Sequence, residues 1–208
     1  SLTTCTYQGV LYGCRHFEIV ECGCGGSANG IYLEGADTEK TNCITLSACD
    51  LYTAQGTSLT DAPVVAYNVG SLTISGCHFR SDARVLITDA SNACGDIAVV
   101  DCDIWIFASA MSTATDCIIL CAKNAIAKGN RFNGKNSNYA RGLYLNKDTI
   151  QHAIATGNIF YDYPTGNIAI REGGATTALD YAIISDNIIA GSTISVTAPT
   201  HGVIENNF

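Results

Sequence analysis

The feature that most constrains this chain is a short motif that recurs along nearly all of its 208 residues. The motif is an apolar residue, two further residues, a Cys or Asn, one residue and a second apolar residue, as in Ile74, Cys77 and Phe79. Its central positions are Cys22, Cys49, Cys77, Cys102, Asn130, Asn158, Asn187 and Asn206, with steps of 27, 28, 25, 28, 28, 29 and 19 residues. A repeat of this length predicts a solenoid in which each repeat forms one structural unit.

Stacking explains why a Cys or Asn recurs at this point. In a parallel β-helix, equivalent residues of neighbouring coils lie above one another at about 4.8 Å. An inward-pointing Asn needs partners for its carbonyl and its amide, and the Asn residues above and below can supply them together with the bend backbone. Cys is a small hydrophobe with a weak donor and fits the same slot. The motif therefore predicts an all-β parallel β-helix of about eight coils, with an inward ladder of Cys in the first four coils and Asn in the last four.

A second short strand is predicted in most coils, because β-branched and aromatic residues recur in short runs between the ladder positions. These runs are residues 30–34, 64–67, 84–88, 117–120, 142–146, 167–171 and 193–196. Residues 1–208 then form a single β-helix domain. Solenoids need polar caps at both ends, and neither end of this sequence shows one, so we expect a piece of a longer chain.

Composition narrows the classes of partner. The formal charge is −8 and the isoelectric point is near 4.7, which disfavours nucleic acid because phosphate binding needs a basic surface. No stretch approaches the roughly 20 apolar residues of a membrane span, so membrane insertion is not expected. With 47% hydrophobic and 14% charged residues, the chain can bury a large core.

Eleven cysteines raise the questions of disulfides and of metal binding. Their number is odd, and several fall on the inward phase of the strand pattern, which favours buried free thiols over a disulfide framework. The pairs Cys22 and Cys24, and Cys117 and Cys121, do not have the spacing of structural zinc sites. We therefore expect no metal and no cofactor.

Two segments carry a resemblance to a known family. The chain resembles the right-handed parallel β-helix of the pectate-lyase-like superfamily in its repeat length, in its ladder and in two short sequences. These are Gly-Asn-Arg-Phe at residues 129–132 and Gly-Asn-Ile-Phe at residues 157–160. Within that superfamily, residues 17–208 look most like bacteriophage tailspikes and polysaccharide depolymerases. The resemblance implies a homotrimer in the virion tail, assembled in the bacterial cytoplasm, that binds and cleaves O-antigen or capsule with Asp and Glu side chains. The calcium-binding Asp cluster and nearby catalytic Arg of pectate lyases are not found here.

Candidate catalytic residues follow from stacking the residues at the ends of the second strands. Glycoside hydrolysis uses two carboxyl groups, about 5 Å apart for retention and about 6.5–9.5 Å apart for inversion. Asp148 and Glu172, on neighbouring coils, form the best single-chain pair, with Asp89 and Glu34 behind it. Lys147 and Arg171 lie beside this pair and are candidate substrate-binding residues together with Glu34. The alternative is that all of these are solvated strand ends or a structural row of ion pairs.

A second outward row follows the ladder and contains aromatic residues. Trp105, the single Trp of the chain, together with Tyr161 and Tyr163, could stack on sugar rings. The alternative is burial against another subunit, which we favour for the apolar Ile159 and Ile188. The four histidines, His16, His78, His152 and His201, show no common spacing, and no site is assigned to them.

The sequence thus predicts a tailspike β-helix that binds bacterial surface polysaccharide and hydrolyses it as an endo-acting glycoside hydrolase. Three alternatives stay open: a tail-fibre β-helix that adheres without cleaving, a cellular polysaccharide lyase or epimerase of the same fold, and a purely structural shaft. Host and sugar identity are not encoded in any recognisable motif.

Overall fold

The computed structural model describes residues 9–12, 16–25, 30–35, 43–53, 62–81, 84–107, 115–135, 140–164, 167–175 and 178–208. All regular secondary structure in these residues is β-strand. The strands, numbered along the chain, form three sheets in which every pairing between neighbours is parallel. The predicted all-β parallel β-helix is therefore confirmed.

Each sheet collects every third strand of the chain. The first sheet contains β1 (Gly9–Tyr12), β4 (Ile31–Glu34), β7 (Val64–Tyr67), β10 (Leu86–Ile87), β13 (Thr115–Leu120), β16 (Ala140–Asn146), β19 (Ile168–Gly173) and β22 (Thr193–Ser195). The second contains β2 (His16–Val20), β5 (Cys43–Ser47), β8 (Ser71–Ser75), β11 (Cys94–Val100), β14 (Ala122–Lys128), β17 (His152–Thr156), β20 (Tyr181–Ser185) and β23 (His201–Glu205). The third contains β3 (Gly23–Gly25), β6 (Asp50–Thr53), β9 (His78–Ser81), β12 (Asp103–Ile106), β15 (Arg131–Asn133), β18 (Ile159–Tyr161) and β21 (Ile188–Ile189).

One coil thus contributes a strand to the first, the second and the third sheet in turn. The strands predicted between the ladder positions are those of the first sheet, and their positions are confirmed. The recurring motif itself covers two strands, one in the second sheet and one in the third, so a coil has three strands. Among the described residues the third sheet has seven strands and the other two have eight, so the number of complete coils is slightly below the eight predicted.

A left-handed residue directly follows each strand of the second sheet and, in the seven coils that have one, precedes the strand of the third sheet. These residues are Glu21, Ala48, Gly76, Asp101, Gly129, Gly157, Asp186 and Asn206, all with φ between 51° and 68°. The ladder residue follows immediately and is buried in the coil at the six positions from Cys49 to Asn187, whereas Cys22, predicted to point inward, is exposed at the first coil. In the last coil the left-handed residue is Asn206 and the ladder residue is Asn207, so the predicted ladder position was wrong by one residue there.

The Asn side chains form a continuous hydrogen-bonded ladder inside the coil. Asn158 Oδ1 accepts from both Asn130 N (3.1 Å) and Asn130 Nδ2 (3.0 Å), and Asn158 Nδ2 donates to Asn187 Oδ1 (2.9 Å) and to Ala127 O (2.9 Å). Asn187 continues the row by donating to Asn207 Oδ1 (2.8 Å). Each buried amide is thus paired through both its oxygen and its nitrogen.

The Cys residues occupy the same slot with fewer partners. Cys102 Sγ contacts Ile74 O (3.8 Å), which is the position equivalent to the carbonyl that Asn130 contacts one coil later. Cys77 Sγ similarly contacts Leu46 O (3.6 Å). The substitution of Cys for Asn as a small residue with a weak donor is confirmed.

The interior of the coil is one apolar cluster built from alternating residues of all three sheets. In the third sheet, Phe79, Ile104, Phe132 and Phe160 occupy one inward row and are fully buried. The rings of Phe132 and Phe160 stack with centroids 4.6 Å apart. The residues that alternate with this core face outward, and these outer faces present the candidate sites.

Candidate functional site

The first candidate site lies where the first-sheet strands β16 and β19 end. Leu145 faces the core and pairs with Glu172 in the parallel register, so Glu172 also occupies an inward position. Its side chain is only 8% exposed. Oε1 lies 3.7 Å from Lys147 Nζ, whereas Oε2 is buried and has no hydrogen-bond partner among the described residues. The outward position predicted for Glu172 is therefore corrected: its carboxylate is largely enclosed.

A groove of about 360 Å³ opens beside this carboxylate. It is lined by Lys147, Glu172, Ile194, Ser195, Val196 and Thr197. Most of its surface is polar, because Lys147, Glu172, Ser195 and Thr197 contribute to it. The Glu172 carboxylate thus forms part of the groove wall, with Oε1 beside Lys147 and Oε2 shielded from solvent.

Asp148 lies in the turn that follows β16, one coil before the end of β19. Both of its carboxylate oxygens lie 2.8 Å from Ala175 N, which donates to them across the coil boundary. The side chain also lies against Gly174, where an added Cβ would come within 2.6 Å of Asp148 Oδ2. The structure thus places Asp148 and Glu172 on neighbouring coils at the same edge of the first sheet, as the sequence predicted.

Lys147 and Arg171 both take part in ion pairs. Arg171 donates through Nε to Asp116 Oδ1 (2.6 Å) and through Nη2 to Asp116 Oδ2, and its guanidinium lies 4.3 Å from the centroid of the Tyr144 ring. These hydrogen bonds to Asp116 raise the pKa of Arg171. Asp116 is buried, so Arg171 serves a partner within the protein. The structural ion-pair alternative thus describes Arg171 better than a substrate-binding role.

The remaining carboxylates of the predicted row have local partners. Asp89 Oδ1 accepts from Ser91 N (2.9 Å), as an Asp at the start of a turn commonly does. Glu34 Oε2 accepts from Tyr32 OH (3.0 Å) on the same strand. Neither residue lines the groove beside Glu172.

The aromatic candidates of the third sheet fall into two environments. Trp105 and Tyr161 are half-buried on the outer face, where Lys135 Nζ lies 4.0 Å from the Trp105 ring centroid and the Arg131 guanidinium lies 5.9 Å from that of Tyr161. Tyr163 is instead buried in the core, 6.2 Å from Phe160 between ring centroids, and burial raises its pKa well above the usual value. Tyr163 is therefore not available to stack on a sugar.

The outer face of the second sheet holds a group that the sequence did not reveal. His16, His152, Tyr181 and His201 all occupy one row of the parallel register, although these histidines have no common spacing in the sequence. The rings of Tyr181 and His201 stack at 4.6 Å, and those of His152 and Tyr181 lie 5.2 Å apart. The coils differ in length, so this row becomes visible only once the strand register is known.

An aliphatic row runs beside these rings on the same face. Its members are consecutive in the register: Ala98, Ile126, Ile154, Ile183 and Val203. Ile183 and Val203 are 43% and 42% exposed. In the third sheet, Ile188 is also exposed. Its register partner Ile159 is half-buried, and the next residue of this row, on β15, is the charged Arg131.

Within the described ranges, no group of three His, Cys, Asp or Glu side chains is arranged to hold a metal ion, and there is no helix long and apolar enough to cross a membrane. The eight cysteines whose side chains are described are free thiols. Burial raises the pKa of the Cys49, Cys117 and Cys121 thiols.

Comparison of the chain with protein-family models, with curated proteins and with solved structures found no match.

Proposed function

We propose that this β-helix is part of a bacteriophage tailspike that binds bacterial surface polysaccharide, either O-antigen or capsule, and hydrolyses it internally. The proposal rests on the parallel β-helix, on the resemblance of its repeat to tailspikes and depolymerases, and on one feature of the site. That feature is the enclosed Glu172 carboxylate, which faces a polar groove while Asp148 lies on the neighbouring coil.

In the proposed reaction, Glu172 and Asp148 supply the two carboxyl groups that glycoside hydrolysis needs. One group in its acid form gives a proton to the glycosidic oxygen as the bond to the anomeric carbon breaks. The other group, as a carboxylate, either takes a proton from the attacking water or bonds first to the anomeric carbon. The net change is the addition of one water molecule across one glycosidic bond. Lys147, 3.7 Å from Glu172, helps to hold the carboxylate in place.

The test is incubation of the protein with polysaccharides purified from candidate hosts, with chain length followed by size-exclusion chromatography and new reducing ends by a colorimetric assay. Falling chain length with new reducing ends, and without the ultraviolet absorbance of an unsaturated uronate, supports the hydrolase. Loss of a general acid or base lowers the rate by about 10²–10⁴-fold, so Glu172→Gln and Asp148→Asn should each lower it by at least about 100-fold. Glu205→Gln, a matched change on the exposed end of the second sheet, should keep the rate unchanged.

The other candidate functions give different results in the same assay. An unsaturated uronate with ultraviolet absorbance would indicate a lyase. An altered sugar without new reducing ends would indicate an epimerase. Polysaccharide that elutes with the protein but keeps its length would indicate an adhesin, and a structural shaft would neither bind nor cleave. Full activity in both Glu172→Gln and Asp148→Asn would show that the active site lies elsewhere.

We also propose that the protein assembles as a homotrimer in the virion tail. The aliphatic row of the second sheet supports this proposal, because it is a straight apolar line along the axis of the coil. Exposed apolar surface of this kind commonly marks a protein–protein contact.

A further inference from the structure

The outer face of the third sheet carries cations placed on aromatic rings. Arg80, Trp105, Arg131 and Tyr161 are outward residues of β9, β12, β15 and β18, and Lys135 follows β15; we name these five residues the cation–aromatic surface. Arg80 pairs with Trp105 in the register, and Arg131 lies on the strand between those of Trp105 and Tyr161. Asn133 lies between Trp105 and Tyr161 in the register, so Arg80, Trp105 and Lys135 form one group of contacts and Arg131 with Tyr161 forms a second group on neighbouring coils.

The rings of this surface hold cations. Lys135 Nζ lies 4.0 Å and the Arg80 guanidinium 5.7 Å from the Trp105 ring centroid, and the Arg131 guanidinium lies 5.9 Å from that of Tyr161. All three distances fall within the range of favourable cation–π contact. A neutral sugar stacking on Trp105 would have to displace the Lys135 ammonium. A ligand that carries negative charge could instead contact the ammonium and guanidinium groups where they already lie.

The acidic residues on the same face are engaged with neighbours. Asp103 Oδ2 accepts from Trp105 Nε1 (3.2 Å), and the His78 ring lies between Asp50 and Asp103, with nitrogen-to-oxygen distances of 3.6 Å and 3.9 Å. Among the described residues, Arg80, Arg131 and Lys135 share this face with Asp50 and Asp103, and the exposed Asp162 follows Tyr161, so the formal charges here nearly balance although the whole chain has a formal charge of −8. An anionic polymer would meet less repulsion here than elsewhere on the chain.

We infer that the cation–aromatic surface recognises carboxylate groups of sugars, so that the polysaccharide of the proposed function is an acidic one containing uronic or sialic acid. The inference rests on the proposed function, whose ligand class it specifies. Arg is suited to the task because its planar guanidinium can donate two hydrogen bonds to one carboxylate. Contact with the rings also restrains the cations before the ligand arrives, which lowers the entropy lost on binding.

The test uses immobilised capsular polysaccharides and O-antigens, half of them containing uronic or sialic acid and half neutral, with a carboxyl-reduced sample of each acidic polymer. Binding is measured in the Glu172→Gln protein, so that cleavage does not remove the polymer. We expect an acidic polymer to be retained, and retention to weaken at least tenfold after carboxyl reduction and to fall as salt is raised. Arg80→Gln with Lys135→Gln should raise the Kd at least tenfold.

The matched control replaces Lys123 and Lys128, which are exposed on the second-sheet strand β14, and makes the same change in net charge. Lys123→Gln with Lys128→Gln should leave the Kd within twofold of the parent. Arg131→Gln provides an independent variant, and circular dichroism checks that each variant is folded. An equal rise in Kd for the control variant would overturn the inference, because it would show that only the total charge of the protein matters.

The remaining outcomes separate the two proposals. Retention of a neutral polysaccharide, or unchanged affinity after carboxyl reduction, would overturn the inference about acidic sugars and leave the polysaccharide-binding function standing. Retention of no polysaccharide from either half would overturn the proposed function and the inference together. Equally tight binding of inorganic polyphosphate would also count against the inference, because it would show attraction to any polyanion.

Discussion

At the scale of single residues, the inward ladder explains why either Cys or Asn can serve as the repeat's central residue. A buried amide has two donors and one acceptor oxygen, and a stack of identical amides with backbone carbonyls satisfies them. Asn158 makes all of these contacts to Asn130, Asn187 and Ala127. A thiol satisfies fewer groups but removes the need to pair an amide. The ladder therefore tolerates Cys and Asn but excludes residues that would leave neighbours unpaired.

Replacing Asn158 by Ala should lower the free energy of unfolding by about 2–4 kcal/mol, because it leaves Asn130 N and Nδ2 without their acceptor in a fully buried site. Asn158→Cys should cost less, since a thiol already fills this slot in four earlier coils. Urea denaturation followed by circular dichroism measures both. Thr156→Ala, two residues away on the outer face, should change stability by less than about 0.5 kcal/mol. A loss for Asn158→Ala no larger than that control would contradict the ladder's role.

At the scale of the element, the left-handed bend decides where each coil turns. Gly occupies this bend in three coils, whereas Glu, Ala, Asp or Asn occupies it in the others. A residue with a Cβ pays about 1–2 kcal/mol in this conformation, although Asn and Asp tolerate it better. Ala48 has neither the flexibility of Gly nor a polar side chain, and it is exposed with φ of 51°.

Ala48→Gly should therefore stabilise the protein by about 1 kcal/mol, because it relieves the left-handed strain and removes no buried contact. Gly157→Ala, at the equivalent bend with φ of 64°, should destabilise it by a similar amount. The two thermal midpoints, measured against the parent protein, should move in opposite directions. Movement of both midpoints in the same direction would show that backbone conformation at the bend is not the controlling term.

The repeat predicted the fold class and the first-sheet strands because apolar periodicity and the ladder depend only on the sequence. It placed Asn206 on the ladder because the pattern cannot distinguish the left-handed residue from the one after it when both are Asn. It left His152 and His201 ungrouped because coils of different length hide the register. The sequence did not predict the enclosure of Glu172, because its inward position follows from the pairing of Glu172 on β19 with Leu145 on the neighbouring strand β16. Asp148 and Glu172 were nevertheless expected on neighbouring coils, since that needs only the coil order.

At the scale of the whole molecule, a solenoid can assemble side by side through any line of residues parallel to its axis. The aliphatic row from Ala98 to Val203 is such a line, and three copies around a common axis would pack their rows against one another. Ile188 lies instead on the third sheet, where the row continues through half-buried Ile159 to Arg131, a charged residue. The second sheet is therefore the better candidate for the centre of a trimer than the Ile159 and Ile188 end that the sequence favoured.

Light scattering of two matched variants can decide between these surfaces. The parent protein should have three times the monomer mass of 21.9 kDa. Ile183→Lys should shift the mass to that of a monomer, because it would place three charges together at the apolar centre of the proposed trimer. Ile188→Lys changes an isoleucine of similar exposure (49%, against 43% for Ile183) on the third sheet and should leave the trimer intact. The opposite pattern would place the contact on the third sheet, where it would compete with polysaccharide for the cation–aromatic surface. A monomeric parent protein would remove the trimer from the proposal and leave the test of hydrolysis unaffected.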